Sequence, residues 1–178
     1  MDEKIDRRVV KTKERIRDVF IGLLAEKPIK SITVKELSDQ ADINRATFYL
    51  HYEDVFDLKE QLENEVVGQF EDICSSLTVS FTDEEFIAVF IRLLEFIRSN
   101  GKFCSAHIGV NVDRNFFARL VRIVTDRCFD REQYTSYGFA FVLAGIVGIV
   151  LDWVFAGMKD TPETVAGHTL ALVRRIKA

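Results

Sequence analysis

Residues 32–52, ITVKELSDQADINRATFYLHY, carry two helix starts and a turn in one short stretch. Thr33 followed by Glu36 has the form of a capping box, in which hydroxyl and carboxylate satisfy the first free backbone donors of a helix. A short helix is expected from there through Leu37 to about Ala41. Asp42-Ile43 supplies turn formers and Asn44 a second cap, so another helix opens at once. That second helix has room for only about two turns, and helices below roughly 12–15 residues are marginal in water. It has to dock on its neighbours.

At about 100° per residue, Phe48 and Tyr52 fall on one side of this helix, with Ala46 and Leu50 opposite. Arg45 with Tyr49, and Thr47 with His51, occupy the flanks. Phe48 and Tyr52 are therefore expected in a small core with Phe20, Leu23 and Leu37, leaving the rest for an outside partner. Two short helices joined by a tight turn, the second presenting Arg, Thr, Tyr and His, is the layout of a helix-turn-helix reader of DNA. Arg45 can pair with guanine, small Ala46 permits close approach, and Leu50 or the Thr47 methyl can touch a thymine methyl. Tyr49 and His51 can reach phosphates on the two walls of a groove. Any amphipathic segment also turns polar residues outward, so the segment alone leaves a purely structural reading open.

Outward from this stretch the chain reads as all-α. Its 178 residues include two prolines and nine glycines, with 48% hydrophobic content, enough for a sizeable core and too few turn formers for a β architecture. Val9, Ile16, Val19, Phe20, Leu23 and Leu24 recur at helical spacing until Lys27-Pro28 closes the first helix. A helix from Asp54 to about Ser76 follows. Thr82-Asp83-Glu84-Glu85 is a further capping box, and its helix is expected to stop at Asn100-Gly101. Helices over 113–129 and 132–158 come next, and Thr161-Pro162-Glu163 opens the last.

Tyr137 to Leu151 is an unbroken run of apolar residues and glycine. A membrane span needs about 20 such residues, and Asp152 interrupts the run, so a helix buried on nearly all sides is expected instead. Ala140, Ala144 and Gly148 form a small-residue ridge that suits burial by a second copy of the chain. With Trp153, they are the expected dimer interface.

Formal net charge is −4, and residues 1–60 are nearly balanced, which does not by itself point to a nucleic-acid partner. However, Lys4, Arg7, Arg8, Lys11, Lys13, Arg15 and Arg17 make the start of the first helix locally basic. Cys74, Cys104 and Cys128 are odd in number and lie in apolar segments, fitting free thiols in a reducing cytoplasm. The charged N-terminus lacks the apolar stretch of a secretory signal. His51, His107 and His168 are far apart, and no nucleophile motif, phosphate loop or metal-ligand spacing accompanies them. Cys104-x-x-His107 lacks a second half, so no metal and no other cofactor is expected, and no catalysis.

The order KERIRDVFIGLL followed by ITVKELSDQADINRATFYLHYEDVFDL resembles the DNA-binding domain of the TetR family of bacterial transcriptional regulators, over Lys11 to Leu58. TFY-x-HY is its most specific part. The resemblance implies a three-helix DNA-binding domain, taken as residues 1–55, and a larger helical domain, 56–178, that dimerises and senses a signal. It implies that Asn44, Arg45, Ala46, Thr47, Tyr49, Leu50 and His51 lie at DNA, with Thr33 and Lys35 from the preceding helix and Lys11, Thr12 and Lys13 from the first. Many members hold phosphate with a lysine at the start of the fourth helix; here Val55 stands there, after Glu53 and Asp54, and that contact should be missing.

Further along, Tyr137, Gly145-Ile146-Val147-Gly148, Trp153, Gly157-Met158 and Pro162-Glu163 resemble a C-terminal domain type common in Gram-positive regulators, including activators of dihydroxyacetone kinase operons. Those work with a protein co-regulator. The expectation is a cytoplasmic homodimeric repressor on a palindromic operator, released by a small effector. Control by a protein co-regulator is the alternative. Eleven phenylalanines from Phe81 to Phe155 form core or line a pocket for an apolar or aromatic effector.

Overall fold

The computed structural model describes residues 7–75, 82–108, 114–128 and 136–177. The fold is all-α, and the described residues form nine α-helices and one 3₁₀ turn: α1 (Arg7–Glu26), the 3₁₀ turn (Ile29–Ser31), α2 (Val34–Gln40), α3 (Arg45–Tyr49), α4 (Val55–Cys74), α5 (Asp83–Ser99), α6 (Gly101–Ile108), α7 (Arg114–Cys128), α8 (Ser136–Phe155) and α9 (Pro162–Lys177). Phe81 and Phe129, and the expected helix residues 113 and 132–135, lie outside the described residues.

Two compact units are present, and the first is discontinuous in sequence: it takes in the chain up to Val66 and returns for α6 from Lys102. Packing therefore groups the first half of α4 and most of α6 with α1–α3, beyond the boundary at residue 55 drawn from the sequence. The core of this unit contains Ile16, Phe20, Leu24, Leu37, Phe48 and Leu58, all fully buried, and Phe103 of α6, nearly so. α2 packs on both α1 and α3.

Two local features set the attitude of α2. Thr33 accepts from the Glu36 backbone N–H at 3.2 Å, as a cap should. The Glu36 carboxylate does not complete the box; both its oxygens take the Lys27 ammonium, at 2.6 Å each. This half-buried pair ties the end of α1 to the start of α2. At its other end α2 stops in a Schellman motif: Ile43 N–H donates to Ser38 O at 3.0 Å and Asp42 N–H to Asp39 O at 3.4 Å. The motif requires a left-handed residue, here Asp42 with φ 52°.

α6 was not anticipated. Asn100-Gly101 reads as a helix stop, and it does end α5, but a new helix starts at Gly101 itself. α6 brings a fully buried His107 to α4: Nδ1 donates to Phe103 O at 3.0 Å, and Nε2 lies 2.9 Å from Glu63 Oε1. The same carboxylate oxygen accepts from Lys59 Nζ at 2.6 Å. Burial alone would raise the Glu63 carboxyl. The hydrogen bonds from His107 and Lys59, with their charges, outweigh it and hold the group below the usual carboxylate value.

The second unit holds the end of α4, α5, α7, α8 and α9. The Thr82 capping box is complete, with Glu85 N–H donating to Thr82 Oγ1 at 3.2 Å and Thr82 N–H to Glu85 Oε2 at 2.7 Å. α5 and α8 each pack against α9. Thr161 caps α9, with Pro162 at the first helical position. α8 ends at Phe155, three residues short of the expected Met158, because Gly157 at φ 81° closes a second Schellman motif in which Met158 N–H reaches Trp153 O at 2.8 Å.

Within one chain α8 is covered only in part; the cover expected from the sequence was a second copy. Only Val142, Trp153 and Val154 are buried along it, whereas Tyr137 is 87% exposed, Phe141 67% and Phe155 70%. By length and composition α8 is the one helix among the described residues able to cross a membrane. Its exposed Asp152 sits near one end.

Two outcomes test these packing arguments. Because the Glu63 carboxyl is lowered on folding, its contribution to stability is present above the ordinary carboxylate value and is lost as pH falls through the lowered one. Glu63→Gln should cost about 1.5–3 kcal/mol at neutral pH, the range for hydrogen bonds to charged groups, and flatten the acid limb of stability against pH in urea titrations. Asp42→Val should destabilise by about 1–2 kcal/mol through its left-handed backbone, while Asp42→Gly should not; equal losses would refute the Schellman argument.

Candidate nucleic-acid interface

α3 is shorter than the sequence suggests, but its hydrogen bonding runs on past Tyr49. Leu50 N–H reaches Ala46 O at 3.2 Å, and Tyr52 N–H reaches Phe48 O at 3.1 Å. At the other end Asn44 Oδ1 accepts from Ala46 N–H at 2.8 Å. Phe48 is fully buried and Tyr52 nearly so, their rings 5.4 Å apart, and Phe48 also meets Tyr49 edge-on at 5.6 Å. Burial, then the nearby Glu65 carboxylate, pushes the Tyr52 phenol up, so it stays neutral. Arg17 of α1 pairs with Glu65 of α4 at 3.2 Å on the surface of the same unit.

The outward side of α3 carries Arg45, Ala46, Tyr49 and Leu50, all exposed; Tyr49 is 57% exposed and Leu50 79%. Thr47 and His51 are half-buried on the flank. The helical wheel is thus realised in three dimensions: Phe48 and Tyr52 inward, Arg45, Ala46, Tyr49 and Leu50 outward, and Thr47 and His51 between. Thr33, Lys35 and Asn44 are exposed beside it in sequence, Thr33 and Asn44 with their oxygens committed to caps. Lys11 and Lys13 are exposed on α1, and Thr12 is half-buried.

Val55 is buried. Ahead of it, Asp54 Oδ1 accepts from Phe56 N–H and Asp57 N–H at 2.8 Å each, and Asp57 Oδ2 accepts from Glu53 N–H at 2.8 Å. The start of α4 therefore spends these backbone donors on its own carboxylates. No basic side chain stands there to hold a phosphate.

The residues named for a dimer interface divide. Ala140, Ala144 and Gly148 are exposed on α8. Trp153 is 4% exposed and donates its indole N–H to Asp160 O at 3.0 Å, so it braces the corner between α8 and α9 within its own chain. Sequence reasoning placed it at the interface and missed the backbone partner seven residues on. It also missed Lys27–Glu36 and Glu63–His107, which join separate elements.

Comparison with known proteins agrees with this geometry. Residues 84–175 match the family of transcriptional regulator C-terminal regions, TetR_C_8. An uncharacterized HTH-type transcriptional regulator, YxbF, of Bacillus subtilis (strain 168) is 26% identical over 95% of this chain, which spans about half, 46%, of that relative's length. Among solved structures, a TetR transcriptional regulator from Streptococcus agalactiae 2603V superposes with a TM-score of 0.64 at 24% identity, covering 94% of this chain and 96% of the other. The fatty acid degradation regulator FadR from Bacillus halodurans gives 0.68 at 15% identity, covering 96% of each. The dihydroxyacetone kinase operon activator DhaS gives 0.59 at 19%, covering 93% and 96%. With more than half of its length matched by the family model, the chain belongs to the TetR family of transcriptional regulators, which are not enzymes.

Proposed function

We propose that the chain is a cytoplasmic homodimer that represses transcription by inserting α3 of each subunit into the major groove of a palindromic operator. One observation carries the reading: Phe48 and Tyr52 are spent on the core, so that Arg45, Ala46, Tyr49 and Leu50 stand exposed on a capped helix. In this reading Arg45 pairs with guanine O6 and N7, Ala46 and Thr47 lie near base edges, and Tyr49 and His51 bind phosphates. Thr33, Lys35 and Asn44 approach the backbone from α2 and the turn, and Lys11, Thr12 and Lys13 from α1. The functional boundary falls at the start of α4, after residue 55.

The exposed apolar side of α8, with Ala140, Ala144 and Gly148, supports a seam between two copies, since a helix this apolar is costly to leave in water. A small apolar or aromatic effector, which the phenylalanine-rich second unit suits, would release the operator. Activation, or control by a protein co-regulator, is the second reading; the likeness in fold to the operon activator DhaS favours it.

Selection of bound sequences from random duplex DNA tests the proposal, and a palindrome is the expected product. On that operator Arg45→Ala should relax preference at one position per half-site by about 1–3 kcal/mol, whereas Tyr49→Phe and His51→Ala should weaken all duplexes alike. Equal loss at every base for Arg45→Ala would remove it as a base reader. For the dimer, nothing lies within 4 Å of a Cβ built on Gly148, so Gly148→Leu leaves the subunit intact. It should shift sedimentation toward monomer at low concentration; an unchanged dimer would place the seam elsewhere.

A further inference from the structure

Opposite the buried Phe48, the most outward line of the recognition segment is apolar: Ala46 and, one turn on, Leu50, joined by the Leu50 N–H to Ala46 O hydrogen bond. Leu50 is 79% exposed, the most exposed large hydrophobic residue of the first unit among the described residues. It stands between Tyr49 and His51, on a surface otherwise built for hydrogen bonding and charge. Thr47, whose methyl could also meet a thymine, is half-buried on the flank, and the Ala46 methyl is too short to project as far as Leu50. A leucine held in water at the crest of a reading helix gains only from an apolar partner. Base edges in the major groove offer one strongly apolar group, the C5-methyl of thymine.

We infer that Leu50 is a specificity-determining residue that reads a thymine methyl in each operator half-site, with Ala46 kept small so that the crest can reach the groove floor. The inference rests on the proposed DNA-binding function and assigns one base of its site. The contact requires no hydrogen bond and no charge. It therefore adds discrimination without adding to the salt dependence.

The test starts from the operator selected on random duplex DNA, with each thymine replaced in turn by deoxyuridine, which removes the methyl and nothing else. For the wild-type protein, one position per half-site should lose about fourfold in affinity, the value of one buried methyl-sized group. Leu50→Ala should lose a similar factor on the thymine duplex and be indifferent to deoxyuridine at that position, giving a closed double-mutant cycle. Leu50→Met, which restores an apolar tip, and Thr47→Ser, which removes only the Thr47 methyl, should both keep the sensitivity. At 79% exposure Leu50 can be changed without loss of the fold, which circular dichroism of the variant would verify. Wild-type indifference to deoxyuridine everywhere, sensitivity that survives in Leu50→Ala, or its loss in Thr47→Ser would each overturn the inference while leaving sequence-specific binding in place. If no duplex is selected at all, the DNA-binding proposal itself fails, and this inference with it.

Discussion

A five-residue helix has no stability of its own, so everything α3 presents to the outside depends on the burial of Phe48. That single ring, with Tyr52 beside it, converts a marginal turn of backbone into a fixed platform. The other features of the first unit serve the same end. Asn44 fixes where the helix starts, the Schellman turn through Asp42 fixes its angle to α2, and Lys27–Glu36 fixes α2 against α1. Each is a local device, and none needs a large core. Together they let a small module hold Arg45 and Leu50 clear of the surface, where preorganised side chains lose little entropy on contact.

Much of this was legible in the sequence because caps and turns are written in adjacent residues. Thr33, Asn44, Asp54, Thr82 and Thr161 each begin the helix they were expected to begin, and the wheel sorted Phe48 and Tyr52 from Arg45, Tyr49 and Leu50. What was not legible depends on residues far apart. Glu36 looked committed to its own cap and instead reaches nine positions back. His107 was set aside as a lone pair with Cys104; its partner, Glu63, lies 44 positions away on another helix. Burial holds the Cys104 thiol up at about 11, which suits an inert packing residue. Asn100-Gly101 signals a helix stop correctly, yet nothing local tells that the next helix starts without a gap.

α8 shows a different limit. Composition alone predicts that an apolar helix is covered, without saying by what. Within the chain, Val142, Trp153 and Val154 find cover and Phe141 and Phe155 do not. For Trp153, named for the interface, the cover comes from within the chain, where its indole closes the α8–α9 corner.

The sequence discontinuity of the first unit bears on how the protein is made. Glu63 is hydrated until His107 arrives, and the pocket for Phe103 stays open until α6 exists. A chain leaving the ribosome can assemble α1 to α3 early, but it cannot close the unit that carries them until the stretch from Leu50 to His107, including all of α5, has been synthesised. The unit that carries α3 is thus closed only after α5, a helix of the second unit, has been made.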